Sequence, residues 1–322
     1  MRTALITGVS GQDGGYLAEQ LVAAGVYVHG VVRSAEVVPA HLLALGSGAV
    51  LHEVDLGDHA GLVSLLAQVQ PDEVYNLAGI SSVGWSWDEP VLTSEVNGVF
   101  VARLLQLLWE QQQRTGRQVS FVQASSAEIF AGATASPQDE QTLVAPRSPY
   151  GATKAFAHGM GQVFRARGMH ASNAILYNHE SPRRPTSFVT RKITSTVAAI
   201  AEGRATGLVL GNLNARRDWG WAPEYVDAMI RLAGHAEGAD VVVATGVSHT
   251  VADFVAAAFA RVGISEWEPL VSTDPAFVRP VDALELVGNP ALARELLGWE
   301  PKVGFEELVG RMVDADLTES RG

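Results

Sequence analysis

The chain has 322 residues, 47% hydrophobic and 18% charged, the make-up of a globular protein with a large core and not of a disordered one. A formal net charge of −12 argues against non-specific binding to nucleic acid or an anionic membrane, and the absence of cysteine excludes disulfides and thiolate metal sites. No run approaches 18 consecutive apolar residues and no basic segment leads into a long apolar one, so neither a membrane span nor a signal peptide is expected, and the cytoplasm is the default compartment.

Through the first half, short β-branched runs alternate with longer helical patterns, the signature of a parallel sheet with helices on both faces. Residues 4–7, 27–32, 50–54, 73–77 and 119–124 are predicted strands, and 16–24 and 60–69 are crossover helices. Across residues 96–109, Val101, Leu104, Leu105 and Leu108 fall on one helical stripe, which reads first as a face buried on the sheet and second as a subunit contact. After Tyr177 the rhythm breaks. Residues 179–186 are too rich in Pro and Arg to be regular throughout, and short elements follow at 207–210, 240–245 and 251–261. The expected organisation is a dinucleotide-binding part over residues 1–177 and a mainly substrate-binding part over 178–322, with strand and helix returns to the first.

Gly8-Val-Ser-Gly11-Gln-Asp-Gly14 follows the first strand and opens the first helix. Glycine is needed where backbone turns sharply and approaches a pyrophosphate, and the helix N-terminus beyond it supplies free N–H groups. Gly8, Gly11, Gln12, Asp13 and Gly14 are therefore candidate cofactor contacts. The G-x-x-G-x-x-G spacing differs from the G-x-G-x-x-G of ordinary dinucleotide sites and resembles that of short-chain dehydrogenases. Arg33 after the second strand favours NADP, because an Arg suits the 2′-phosphate, while Glu36 keeps NAD open. Asp55 and Leu56 end the third strand near the expected adenine, and Leu77, Ala78 and Ser81 lie where the fourth strand's backbone passes the cofactor. A tight turn without ligand and a solvated Arg33 are the plain alternatives.

Tyr150 and Lys154 stand four apart at the start of a helical segment, so both project from one face. An ammonium near a phenol is expected to favour phenolate and fit the Tyr to act as a base. The fifth strand runs into Ser125-Ser126-Ala127-Glu128, which puts hydroxyls and a carboxylate at its carboxyl end, where open α/β sheets hold ligands. Glu128 discriminates between chemistries. An epimerase or ketoreductase needs no carboxylate facing the sugar, whereas losing water from carbon 6 needs a group that takes the carbon-5 proton and protonates the leaving hydroxyl. The bland alternative is a Glu that caps a turn.

Several stretches together resemble the GDP-mannose 4,6-dehydratases: Ala4 through Gly14, Gln70-Pro-Asp-Glu-Val-Tyr-Asn76, Pro146-Arg-Ser-Pro-Tyr150, and above all Asn178-His-Glu-Ser-Pro-Arg-Arg184 with Phe188-Val-Thr-Arg-Lys-Ile193. Gly211-Asn-Leu213, Arg217-Asp-Trp-Gly220 and Ala244-Thr-Gly246 extend the match over nearly the whole chain. The resemblance implies a Rossmann-type doubly wound parallel sheet with a smaller, mixed C-terminal lobe. It implies a hydro-lyase that converts a GDP-hexose, foremost GDP-mannose, to its 4-keto-6-deoxy form by an internal NADP-mediated redox cycle. Carried over, Ser126 binds the reacting sugar oxygen, Glu128 is the acid/base, Tyr150 the oxidising base and Lys154 the ribose-binding partner. His179 and Arg184 contact the cofactor, and Asn178, Val189, Lys192, Arg217 and Arg279 line the GDP site. A polar network supporting the 179–184 loop without touching ligand is the alternative for His179, Glu180, Arg183 and Arg184.

The departures bear on substrate and assembly. Residues 35–46 are largely apolar where the family carries an Arg- and Ser-rich loop tied to tetramers, so a homodimer is expected, with a tetramer as the alternative. Gly79-Ile-Ser-Ser82 replaces a more polar stretch, Ala127 a hydroxyl residue, Phe130 a Tyr and Ala131 a Gly, which leaves another GDP-sugar, such as a heptose, open. Other readings are epimerisation, decarboxylation or reduction on the same scaffold and, from another class, a non-catalytic cofactor sensor. No metal and no nucleic-acid or membrane partner is expected.

Overall fold

A computed structural model describes residues 2–34, 38–277, 283 and 285–319. Its centre is a seven-stranded, all-parallel sheet built from β1 (Thr3–Thr7), β2 (Tyr27–Val32), β3 (Ala49–Glu53), β4 (Glu73–Asn76), β5 (Ser120–Ala124), β6 (His170–Leu176) and β10 (Asp240–Val243). The spatial order is β10-β6-β5-β4-β1-β2-β3, so the strand order reverses between β1 and β4. A ligand crevice opens outside the carboxyl ends at such a reversal. The predicted strands stand within a residue or two of these bounds. The exception is β6, which the polar residues His170, Ser172 and Asn173 concealed.

Helices cover both faces. On one, α1 (Gln12–Ala23) and α6 (Ala222–Ala233) bury Leu17, Leu21, Tyr225, Val226, Met229 and Leu232. On the other, α2 (His59–Val69), α3 (Phe100–Thr115) and α4 (Pro149–Ala166) bury Leu62, Leu65, Leu66, Phe100, Leu104 and Phe164. The predicted stripe Val101, Leu104, Leu105 and Leu108 is buried on the sheet. α3 continues a 26-residue helix, Pro90–Thr115, interrupted by a π-helical turn at Glu95–Val99. By length and composition this is the one described helix able to cross a membrane, but half of its apolar stretch is spent on the core.

The second lobe holds the small sheet of β7 (Asn178–Glu180), β9 (Arg216–Trp221), β11 (Ser248–Thr250) and β13 (Glu285–Leu286), and the pair β8 (Leu208–Leu210) with β12 (Val271–Thr273). Its core gathers Ile193 and Val197 of α5 (Val189–Ala201), Phe254 and Phe259 of α7 (Val251–Arg261), and Leu308 and Met312 of α8 (Phe305–Glu319). The chain crosses between lobes more than once: α6 and β10 lie beyond residue 178 in sequence, yet pack with the first lobe's sheet.

Candidate active site

The glycine turn lies at the reversal point. Gly8 takes φ +72°, where a side chain is strained, and a Cβ there would lie 2.8 Å from the Ala78 backbone beyond β4. A Cβ on Gly14 would lie 2.3 Å from the Gly8 carbonyl, so the turn and α1 can pack this closely only with glycine. α1 opens on Gly11 with no side-chain cap, which leaves its first N–H groups to serve an anion. That uncapped end fits a cofactor pyrophosphate.

Asp13 and His179 tie this turn to β7. His179 Nε2 lies 2.9 Å from Asp13 Oδ2 and its Nδ1 lies 2.7 Å from the Tyr177 carbonyl. Burial lowers the His179 pKa, but the Asp13 charge and hydrogen bond more than offset this and the net direction is up. Burial likewise opposes the Asp13 carboxylate, yet His179 and Gln12 carry its pKa below the ordinary value. The Gln12 side chain donates to the His179 carbonyl and accepts from the Ser181 hydroxyl. Arg184 ion-pairs with Glu180 at 3.2 Å, whereas Arg183 turns away, 2.6 Å from Glu19 and stacked on Tyr16. The 179–184 loop is thus a polar network, and three of its members, His179, Glu180 and Arg184, also line the cleft.

Beside the turn, Ser148 caps α4 by accepting from Gly151 N at 3.0 Å, and Pro149 occupies its first turn. Tyr150, Lys154 and His158 then share one helix face against the end of β5. Lys154 Nζ donates to the Ala124 carbonyl at 2.9 Å, and the Ser125 hydroxyl meets His158 Nδ1 at 3.1 Å. Ser126 Oγ accepts from Glu128 N at 3.2 Å, the cap of the short helix Ala127–Phe130 that carries the carboxylate.

The structure corrects the expected phenol–ammonium coupling. Burial pushes the Tyr150 phenol up to about 12, with Ser126 opposing through a hydrogen bond and Glu128 adding to the rise. Burial also brings Lys154 down to about 8, against the pull of Asp13. Desolvation sets the direction at Tyr150, and the Lys154 ammonium is spent on a carbonyl.

These groups border one cleft of about 850 Å³ between the lobes. It brings together Asp13, Leu77, Ser81, Ser126, Glu128, Tyr150, Lys154, Asn178, His179, Arg184, Val189, Lys192 and Arg217. Gly8, Gly11, Gln12, Gly14 and Ala78 build the turn and its support and do not line the cavity. Arg33 and Asp55 are exposed. Asp55 lies past the end of β3, not on it, and its Oδ1 accepts from Gly57 N at 2.8 Å, while the Leu56 carbonyl accepts from Arg103. Arg217 donates to the carbonyls of Arg216 and Ala283. Arg279 and Glu36 fall outside the described residues. Ser82 and Ala127 border the cleft, but Ile80 does not. Among the described residues no group of three or more His, Asp or Glu is placed to hold a metal ion.

Sequence reasoning missed Asn97. Buried in the π-helical turn, its side chain accepts from Ile80 N at 2.8 Å and donates to Ile80 O at 2.9 Å, fixing the segment that carries Ser81 and Ser82. An amide amid an apolar helical pattern was the available signal. His158, Trp87 and Phe277 were missed as well, the last two as cleft-lining aromatics.

Known proteins match the chain over nearly its whole length. A family model described as GDP-mannose 4,6 dehydratase matches residues 5–312. GDP-mannose 4,6 dehydratase 1 of Arabidopsis thaliana is 43% identical over 98% of this chain and 90% of its own length. The GDP-mannose 4,6-dehydratase of Vibrio cholerae is 37% identical over 99% and 95%. Among solved structures, a putative epimerase from Burkholderia cenocepacia superposes with a TM-score of 0.84 at 28% identity, covering 98% of both chains. A UDP-glucose 4-epimerase from Thermus thermophilus, in complex with NAD, superposes with a TM-score of 0.81 at 26% identity, also covering 98% of both. With a family model spanning nearly its whole length and full-length relatives above 30% identity, the chain belongs to the GDP-mannose 4,6-dehydratase family.

Proposed function

We propose that the chain dehydrates GDP-mannose to GDP-4-keto-6-deoxymannose with a resident nicotinamide cofactor, NADP in preference to NAD. The observation that carries this reading is a carboxylate, Glu128, in the same cleft as Ser126, Tyr150 and Lys154, with Lys192 and Arg217 also lining it. When bound, the cofactor supplies the oxidising power at carbon 4 and returns the same hydride at carbon 6. Ser126 holds the carbon-4 oxygen while Tyr150 takes its proton, a role that needs the phenol brought back down from where burial puts it, as the positive charge of an oxidised nicotinamide would do. The ketone that results acidifies carbon 5, and Glu128 removes that proton and delivers it to the departing carbon-6 hydroxyl, so the proton that Tyr150 took is the one carbon 5 regains when hydride comes back to carbon 6. Lys154 holds the cofactor ribose, and the α1 N-terminus with His179 and Arg184 faces the pyrophosphate. Lys192 and Arg217 suit the diphosphate of the substrate, with Asn178 and Val189 beside them. Arg33, exposed at the end of β2, is free to meet a 2′-phosphate.

The division of labour follows the lobes in the main: residues 1–177 hold the reacting groups and most of the cofactor, and 178–322 hold mainly the nucleotide while lending His179 and Arg184 to the pyrophosphate. Ser82 and Ala127, both at the cleft and both departures from the family pattern, support a second reading in which another GDP-sugar is the substrate. Val91, Val99, Phe156 and Val163 are exposed on the adjoining helices Pro90–Thr115 and α4, a face suited to a homodimer.

Glu128→Gln tests the chemistry. It is expected to lower turnover by roughly 10²- to 10⁴-fold, the range for a lost acid/base, while bound cofactor is still reduced on adding GDP-mannose, as read by absorbance. Wild-type turnover in this variant removes Glu128 from the reaction.

A further inference from the structure

Ser126, Glu128, Tyr150 and Lys154 line the cleft from the first lobe, together with Asp13 beside the glycine turn. Whatever a nucleotide sugar carries beyond its reacting hexose must therefore extend over the second lobe, past Lys192, Gly211, Asn212, Arg217 and Phe277. Phe277 is 54% exposed, a large aromatic side chain left open in a cleft wall. Its backbone, by contrast, is fixed. Phe277 N donates to Asp274 O at 3.0 Å, and Asp274 N donates to Leu210 O of β8 at 2.8 Å. A Cβ on Gly211 would lie 2.5 Å from the Phe277 carbonyl, so the strand end approaches this turn as closely as glycine allows. Over the ring sits the Lys192 ammonium, 3.8 Å from the centroid, and no described carboxylate pairs with that lysine.

We propose that Phe277 is the stacking platform for the substrate's nucleobase, and that Lys192 rests on the ring only until ligand arrives, then yields that face to the base and turns to the diphosphate. An anchored backbone with a half-exposed ring is what a stacking surface requires, because the base gains aromatic area on a turn, Asp274–Phe277, that is already held by hydrogen bonds. The exchange is favourable on both sides. A cation on an exposed ring is weakly held, whereas an ammonium on a diphosphate makes charge-assisted hydrogen bonds. Stacking accepts any base, so choice of guanine falls to polar groups beside the ring and not to Phe277 itself.

This inference rests on the nucleotide-sugar reading of the cleft, and calorimetric titration of the full chain separates the two. GDP, guanosine, ADP, UDP and dTDP are titrated into wild type, Phe277→Ala, Phe277→Tyr and Lys192→Met. Phe277→Ala is expected to lose roughly tenfold in affinity for the diphosphate that wild type binds best, the size of one base-stacking contact, while Phe277→Tyr stays close to wild type. KM for the nucleotide sugar rises by the same factor with kcat little changed. Lys192→Met weakens GDP but not guanosine. The same Phe277→Ala loss with a base other than guanine supports the platform and sinks the GDP assignment. Wild-type GDP affinity in Phe277→Ala overturns the platform alone, and a wild-type chain that binds no nucleoside diphosphate overturns both.

Discussion

Lys154 illustrates what burying a cationic side chain costs. It is 6% exposed and its ammonium donates to a carbonyl, with burial bringing it down from an ordinary 10.5 to about 8. Between those values the folded chain binds fewer protons than the unfolded one, so stability from this group rises with pH across that window. Below it the cost is about 3 kcal/mol, from the size of the shift. Lys154→Met should therefore gain most relative to wild type below pH 8, with the gap closing as pH rises toward 10.5. Urea melts of both proteins at pH 7 and pH 10 check this, and a difference that does not change with pH contradicts it. The Tyr150–Lys154 spacing was legible in sequence because i and i+4 share a helix face. The depth at which that face lies was not, since it depends on β5, the second lobe and the loops that close over them.

At the scale of elements, the least regular piece has the clearest local task. The π-helical turn at Glu95–Val99 places Asn97 where both ends of its amide meet the Ile80 backbone. Asn97→Ala leaves that N–H and C=O without their partner, at about 1–3 kcal/mol, and loosens the segment bearing Ser81 and Ser82. We expect a lower melting temperature together with a raised KM, and unchanged values of both contradict the clasp. Strand β6 shows why one element escaped the sequence reading. Its seven residues are all buried, and three of them, His170, Ser172 and Asn173, are polar, a pattern that signals a loop. Their partners are remote in sequence. Asn173 donates to Asp240, Ala239 N donates to Ser172, and His170 meets Ser120 and the His235 carbonyl. Buried polar groups are admissible once paired, and pairing over such separations leaves no local trace. The glycine turn and the first five strands have local signatures and were legible.

At the scale of the whole molecule, the returns of β10 and α6 make each lobe depend on the other, and the cleft takes its walls from both. The exposed row Val91, Val99, Phe156 and Val163 belongs to this scale as well. Sedimentation of wild type is expected to give a dimer and of Phe156→Glu a monomer, because a charge at a buried apolar contact is strongly unfavourable. A monomeric wild type contradicts the interface. The most direct test of the proposed function is mass spectrometry of GDP-mannose incubated with the purified chain and catalytic NADP⁺. Loss of one water from the nucleotide sugar, with no accumulation of NADPH, is the predicted result. GDP-mannose recovered intact, or converted with stoichiometric NADPH, contradicts it.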